Sequence, residues 1–199
     1  PYSDVGNYTF DTYLDYVQQG IYLWENSPYV KNYPELYFLN YVLFHRTNDE
    51  EIKPCRTYFW KKIKDKVQGK AMVEAALEIN HWCAGEVMYQ GTDMRTGSAL
   101  EIYRSGVGRC GEEAVFVVNV MRSAGIPARP VYVPRWSHCD DNHAWVEVWC
   151  DGDWHYLGAC EPEAVLDKGW FTNAASRAMM IGSRWYDRAM PDEKVIGKD

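Results

Sequence analysis

The 199-residue sequence has no long hydrophobic run, and no segment approaches the roughly 18 apolar residues that a membrane-spanning helix needs. No signal peptide is visible at its start either. Because the chain opens at Pro1 and not at a methionine, we expect it to be a processed piece of a longer chain.

Basic residues are few and do not form a patch. The 21 lysines and arginines stand against 28 acidic residues, so the formal net charge is −7. The single basic run, from Lys61 to Lys66, lies on a predicted helix, where one solvated face accounts for it. Binding to a nucleic-acid backbone requires clustered cations. We therefore expect no nucleic-acid partner.

The six cysteines contain no pair with the CxxC spacing of common zinc sites. His138 and Cys139 lie near His143, but the other ligand spacings of a zinc site are absent. A chain of this length builds a core large enough to fold without disulfides. We expect no metal and no other cofactor.

Hydrophobic residues make up 47% of the sequence, which predicts a folded chain of one domain, or a core with a small annex. Residues 8–47 predict short helices, broken at two prolines. Residues 55–68 and 70–89 predict two longer helices, the second supported by apolar residues at three- and four-residue spacing. We divide the chain into three parts: a helical annex (1–69), a catalytic core (70–190) and a linker or frayed end (191–199).

The second half changes from helical to strand periodicity. Four glycines predict a loop over residues 91–109, and an apolar helix then runs from Cys110 to Gly125. Asp151-Gly152 is a strong hairpin signal. Three strands are predicted: residues 128–134, 143–150 and 153–159. Helices followed by an antiparallel sheet predict an α+β fold. We expect Trp170, Phe171 and Trp185 to pack on its core.

Cys110 is the first candidate for chemistry. It follows a glycine-rich loop and opens a helix, where backbone N–H groups and the helix dipole favour a thiolate. Together with the adjacent Arg109, this placement predicts a lowered pKa for the thiol. A buried structural cysteine is the alternative.

His143 is the second candidate, because it begins a predicted strand downstream of Cys110. Alternation places Ala144, Val146 and Val148 on one face of that strand and the His143 side chain on the other. We expect the first face to be core and the second to carry His143 towards the Cys110 helix. A nucleophile and base would then be adjacent. A structural histidine is the alternative.

Four segments in this order resemble the transglutaminase-like superfamily: residues 108–114, 125–129, 142–148 and 154–157. The superfamily includes transglutaminases, bacterial transglutaminase-like proteases and peptide-N-glycanases, and the resemblance covers about residues 70–165. It implies a papain-like cysteine protease fold with a Cys-His-Asp triad. By this resemblance Cys110 is the nucleophile and His143 the base.

The third member of the triad is missing from its usual place. The resemblance puts the aspartate four residues after Trp154, at Gly158. If Cys150 pairs with Asp153 in the hairpin, position 158 lies diagonally beside His143 on the same face. That position offers no side chain.

Glu161 is the nearest acid, and we take it as the candidate third catalytic residue. Three alternatives stay open: Glu161 replaces the aspartate, a carbonyl or amide orients the histidine, or the domain no longer catalyses. Weaker acidic candidates are Glu163, Asp167 and Asp140. For the oxyanion hole, the Cys110 N–H is one natural donor. The resemblance implies an upstream Trp or Gln as the second, and Trp82 and Gln90 are both candidates, with core packing as the alternative for Trp82.

The resemblance implies a bacterial cysteine hydrolase, an amidase or peptidase, that acts on a peptide, protein or glycopeptide through a thioester. Transfer to a lysine amine would instead make it a crosslinker. A catalytically inactive binding module and a peptide-N-glycanase-like amidase are the rival interpretations. A secreted, periplasmic or cell-surface location fits such a hydrolase.

Overall fold

The computed structural model describes residues 2–91 and 95–184. Helices dominate its first half and an antiparallel sheet its second, which confirms the α+β class. The helices are α1 (Tyr2–Asn7), α2 (Phe10–Asn26), α3 (Glu35–Phe38), α4 (Arg56–Val67), α5 (Met72–Glu86), α6 (Ala99–Ser105), α7 (Cys110–Ser123) and α8 (Thr172–Ala175). The strands are β1 (Met88–Tyr89), β2 (Val107–Gly108), β3 (Ala128–Val133), β4 (His143–Cys150), β5 (Asp153–Leu157) and β6 (Gly182–Ser183). Within the described ranges, no helix is both long and apolar enough to span a bilayer.

The main sheet has the strand order β5-β4-β3-β6 with every neighbour antiparallel. Cys150 pairs with Asp153 across the predicted hairpin. Asp151 and Gly152 both have positive φ, at 54° and 94°, as a two-residue type I′ turn requires. The hairpin prediction and its register are therefore confirmed.

Helix α7 runs through the centre of the molecule. Every residue from Glu112 to Ser123 is buried, because the helix is apolar on nearly all sides. It shares one hydrophobic core with Ala144, Val146 and Val148 of β4. Gly125, at φ +83°, ends this segment with a conformation that favours glycine.

Helices α2, α3 and α4 of the predicted annex pack on the same hydrophobic core as α7 and the sheet. Arg122 of α7 joins the two regions: its Nε donates to the Ala128 carbonyl at 3.0 Å, and its Nη1 donates to the carbonyls of Phe44 at 3.1 Å and Arg46 at 3.0 Å. The boundary at residue 69 stays a prediction, and residues 191–199 lie outside the described ranges.

Replacing Arg122 by methionine should destabilise the fold. Methionine keeps most of the volume but leaves buried carbonyls without donors, which costs about 3 kcal/mol or more of unfolding free energy. Urea denaturation measures this loss. The exposed Arg104→Met variant is the control, with an expected change below about 0.5 kcal/mol. Equal midpoints for both variants would contradict the prediction.

Some local predictions are wrong. The predicted loop over 91–109 contains α6, because Ser98 and Glu101 form a capping box: the Ser98 hydroxyl accepts from the Glu101 N–H, and the Glu101 carboxylate accepts from the Ser98 N–H. Residues 8–47 contain one 17-residue helix, α2, and not short helices alone. Phe171 is fully buried as expected, but Trp170 is 65% exposed. Trp185 lies outside the described residues.

Candidate active site

Cys110 is the first residue of α7, and a carboxylate fixes the loop that leads to it. Glu112 accepts hydrogen bonds from the backbone N–H groups of Arg109, at 3.0 Å, and Gly97, at 3.1 Å. These bonds satisfy donors at the helix start and tie the glycine-rich loop to the first helical turn. The Cys110 side chain is half-buried there.

The sulfur of Cys110 lies against the beginning of β4. The backbone N–H groups of Ala144 and Gly111 lie near this sulfur and favour its negative charge. Ala144 directly follows His143, so the structure brings the predicted nucleophile to the strand end that carries the predicted base. The two residues are 33 positions apart in the sequence, with β3 between them.

The thiol does not have the lowered pKa that its helix position predicts. Burial raises the pKa of Cys110 above its ordinary value, and the backbone N–H groups of Ala144 and Gly111 only partly oppose this. The negative charge of Glu113 raises it further. Desolvation therefore outweighs the helix start, and the resting group at neutral pH is the protonated thiol.

His143 is 7% exposed, and its Nε2 atom is buried without a hydrogen-bond partner among the described residues. Burial lowers the pKa of the imidazole to about 4, although the charge of Asp141 raises it slightly. The ring is therefore neutral at pH 7 and able to accept a proton. In a catalytic triad, the acid normally forms a hydrogen bond with this ring nitrogen, which is unpartnered here among the described residues.

The two faces of β4 are used differently from the prediction. The Ala144 face is core, as expected, but it is also the face on which α7 packs. The opposite face, with Trp145, belongs to a second cluster with Trp136 and Phe171. The expectation that the His143 face meets the Cys110 helix is wrong. Cys110 lies near the start of the strand instead, since it opens α7 and packs against the core that contains Ala144.

The Glu161 carboxylate occupies the space that a side chain at position 158 would fill. A Cβ atom placed on Gly158 would overlap the Glu161 carboxylate and lie 2.8 Å from the Glu161 Cβ. The two residues form a tight turn in which the Glu161 N–H donates to the Gly158 carbonyl at 3.1 Å. The acid therefore stands where the resemblance expects the aspartate side chain.

Trp170 contacts both this carboxylate and the histidine. Its indole Nε1 donates to the two Glu161 oxygens at 2.9 and 3.0 Å, and its ring centroid lies 4.7 Å from that of His143. Burial raises the pKa of Glu161, and the indole hydrogen bond opposes the rise. Sequence analysis placed Trp170 on the core and did not identify it as a site residue, since no pattern in the sequence links it to His143.

The model of the transglutaminase-like superfamily matches residues 61–159, about half of the chain. The core of this chain belongs to the transglutaminase-like superfamily. No curated protein matches the sequence.

Two solved structures are similar to this transglutaminase-like chain. One, from Cytophaga hutchinsonii, is described as a candidate cysteine protease, with 20% identity over 68% of this chain and a TM-score of 0.44. This chain spans only 52% of that protein. The other is LapG from Legionella pneumophila, with 17% identity, coverage of 61% of this chain and 68% of LapG, and a TM-score of 0.45.

Asn80 of α5 holds the turn that carries Glu161 in this transglutaminase-like core. Its Nδ2 donates to the Gly158 carbonyl at 2.9 Å, and its Oδ1 accepts from the Cys160 N–H at 3.0 Å. Asn80 is 1% exposed, and Cys160 is held at φ +57°. In the sequence, an amide side chain on the apolar face of a predicted helix was the signal that could have identified Asn80.

The weaker acidic candidates are engaged elsewhere. Glu163 pairs with Lys168 at 2.8 Å, Asp167 with His155 at 2.6 Å, and Asp140 with Arg135 at 3.3 Å. Among the acids weighed from sequence, Glu161 is therefore the one next to the indole that covers His143.

The two candidates for the second oxyanion donor lie in different surroundings. Trp82 packs against Tyr103 and Phe116, with ring centroids about 6 Å apart, so it belongs to the core. Gln90 has an exposed side chain, and its backbone N–H donates to the Gly108 carbonyl at 2.9 Å, two residues before Cys110. Gln90 is therefore placed beside the nucleophile loop.

Proposed function

We propose that this protein is a cysteine hydrolase, an amidase or peptidase, that cleaves a peptide or related amide through a thioester on Cys110. The observation that carries the proposal is that Cys110 begins α7 beside the start of β4, where the N–H of Ala144, the residue after His143, lies near the sulfur. It supports a thiol and an imidazole acting together at the start of α7 and β4. Membership of the transglutaminase-like superfamily supports the same chemistry.

The reaction starts from a neutral thiol and a neutral imidazole. As the sulfur attacks the amide carbonyl, His143 accepts the thiol proton and an S–C bond forms. The imidazolium then gives that proton to the leaving amine as the C–N bond breaks. Water adds to the thioester carbonyl as His143 accepts its proton, the C–S bond breaks to release the carboxylic acid, and the imidazolium returns the proton to the Cys110 sulfur.

Glu161 is the third member of this triad in our proposal. The imidazolium formed during attack needs a negative group near Nε2, which is buried and unpartnered in the resting state. The Glu161 carboxylate fills the position of the missing aspartate and shares Trp170 with the imidazole. The Cys110 N–H and the Gln90 side chain are the proposed oxyanion donors.

Alkylation of Cys110 by iodoacetamide tests the thiol–imidazole partnership without a substrate. Because the pKa of His143 is about 4, we expect a base-assisted rate that is nearly constant from pH 5 to 8 and falls as the ring protonates below pH 5. The direct thiolate reaction should add to it only at alkaline pH, because burial raises the pKa of Cys110. Peptide mapping by mass spectrometry gives the rate for each cysteine.

His143→Ala should lower the rate at pH 6 to 8 by about 10²-fold and leave only the alkaline reaction. The exposed Cys139 in the same sample is the internal control, with an unchanged rate. Identical Cys110 rates in both proteins at every pH would reject the catalytic proposal and favour the inactive binding module.

A further inference from the structure

Asn80 is a buried amide on an otherwise apolar face of a helix. It lies on α5 and is 1% exposed, and Ala76, Ile79 and Cys83 on the same buried side are fully buried. Burying an amide costs free energy unless new hydrogen bonds replace those that it made with water. The hydrogen-bond partners of Asn80 therefore show what this side chain does in the fold.

Both polar atoms of the Asn80 amide bond to a single turn, residues 158–161. The Oδ1 atom accepts from the Cys160 N–H at 3.0 Å, and the Nδ2 atom donates to the carbonyls of Gly158 at 2.9 Å and Glu161 at 3.4 Å. The Glu161 N–H closes the same turn on the Gly158 carbonyl at 3.1 Å. One side chain from α5 therefore holds the backbone on both sides of the turn that follows β5.

The turn needs this support because one of its residues has a strained backbone. Cys160 has a φ of +57°, in the left-handed region that costs free energy for a residue with a Cβ atom. Such a conformation persists only where the surrounding structure holds it. The hydrogen bond from the Cys160 N–H to Asn80 acts at this residue, so its loss allows the backbone to rotate to an unstrained conformation.

Glu161 directly follows Cys160, so a backbone rotation there moves the Glu161 carboxylate. That carboxylate accepts from the Trp170 indole at 2.9 and 3.0 Å, and the indole ring centroid lies 4.7 Å from that of His143. Glu161 is therefore held at its carboxylate by Trp170 and at its backbone by Asn80. Together these contacts keep the carboxylate in the space beside Gly158.

We propose that Asn80 is a positioning residue for the amide hydrolysis, which acts by holding the turn that places the Glu161 carboxylate. The inference rests on the proposed role of Glu161. Asn80 forms no hydrogen bond with Cys110 or His143 in the described part of the chain, so its effect on the reaction passes through Glu161. A misplacement of about 1 Å in a catalytic group lowers a rate by about 10²-fold.

The indole N–H resonance of Trp170 reports the position of the Glu161 carboxylate without any substrate. Trp170→Phe assigns this resonance in ¹H–¹⁵N spectra of the full chain, and Glu161→Ala gives its position without the carboxylate. We expect Asn80→Ala to move the resonance most of the way towards the Glu161→Ala position. Asn80→Asp keeps the shape and the acceptor but loses the N–H donors. It should move the resonance in the same direction, and it provides a second variant if Asn80→Ala fails to fold.

Asn119→Ala is the matched control, because Asn119 is also a helical asparagine and is 2% exposed. Its Nδ2 donates to the Thr47 hydroxyl at 3.1 Å and to the Val115 carbonyl at 2.9 Å, and neither belongs to the 158–161 turn. We expect Asn119→Ala to lower the urea midpoint, as Asn80→Ala does, and to leave the Trp170 resonance in place. An unmoved resonance in the folded Asn80 variants, or equal movement in Asn119→Ala, would overturn the proposal.

In an active protein, Asn80→Ala should lower kcat by about 10²-fold with little change in KM. Combined with Glu161→Gln, it should cost no more than Glu161→Gln alone, since both changes remove the action of the same carboxylate. Losses that multiply would show that Asn80 acts independently of Glu161 and would reject the inference. If the Trp170 resonance moves as expected in a protein without hydrolase activity, Asn80 still places Glu161, and the proposed function is rejected.

Discussion

Replacing Cys110 by alanine is expected to lower kcat/KM for amide hydrolysis by about 10⁵- to 10⁶-fold, since the thioester cannot form. His143→Ala should cost nearly as much, because the thiol is protonated at rest and needs a base. The double variant should be no worse than either single one, since the two residues act as a unit. A quenched fluorescent peptide library measures the rates.

Cys139→Ala is the matched control for this experiment. Cys139 is exposed, and its loss should change kcat/KM by less than about twofold. Thermal melting should show that Cys110→Ala stays folded, because the half-buried side chain loses only its sulfur. If Cys110→Ala kept a tenth of the wild-type rate, the nucleophile would have to be another group.

Glu161→Gln is expected to lower kcat by about 10²- to 10⁴-fold with little change in KM. Glutamine keeps the size of the side chain, but it carries no charge to stabilise the imidazolium. Glu163→Gln, which removes a nearby acid paired with Lys168, should stay within about twofold of wild type. Wild-type kcat in Glu161→Gln would instead favour a carbonyl or amide that orients His143.

A rescue variant separates the role of the carboxylate from that of the turn. Gly158→Asp alone should clash with the Glu161 side chain, because that side chain fills the space. In the Gly158→Asp/Glu161→Ala double variant the space is free, and the acid stands at the position of the family's aspartate. We expect this variant to recover at least about tenfold over Glu161→Ala, measured as kcat. If kcat did not recover, the conformation of the turn, and not the charge of the carboxylate, would explain the lower rate of Glu161→Ala.

Cys110 and His143 are the residues whose positions are best predicted from sequence, because a local pattern marks each of them. Cys110 is preceded by a glycine-rich loop and followed by an apolar helix, and His143 begins an alternating strand. Both patterns depend only on neighbouring residues, so they do not depend on how the rest of the chain packs. The Asp151-Gly152 turn sets the hairpin register in the same way, and that register predicts the empty position at Gly158.

Trp170 and Asn80 could not be predicted as site residues, because their contacts cross large distances in the chain. Asn80 bonds to a turn 78 to 81 residues away, and Trp170 covers a histidine 27 residues earlier. Local periodicity carries no information about such contacts.

The sequence alone therefore determined the α+β class, the helix that begins at Cys110, the strand that begins at His143 and the register of the hairpin. Tertiary structure alone decided that Glu161 fills the space at Gly158, that α7 packs on the Ala144 face and that the Cys110 thiol is protonated at rest. The reason is physical: periodicity and turn chemistry are properties of neighbouring residues, whereas burial depends on what the rest of the chain removes from water.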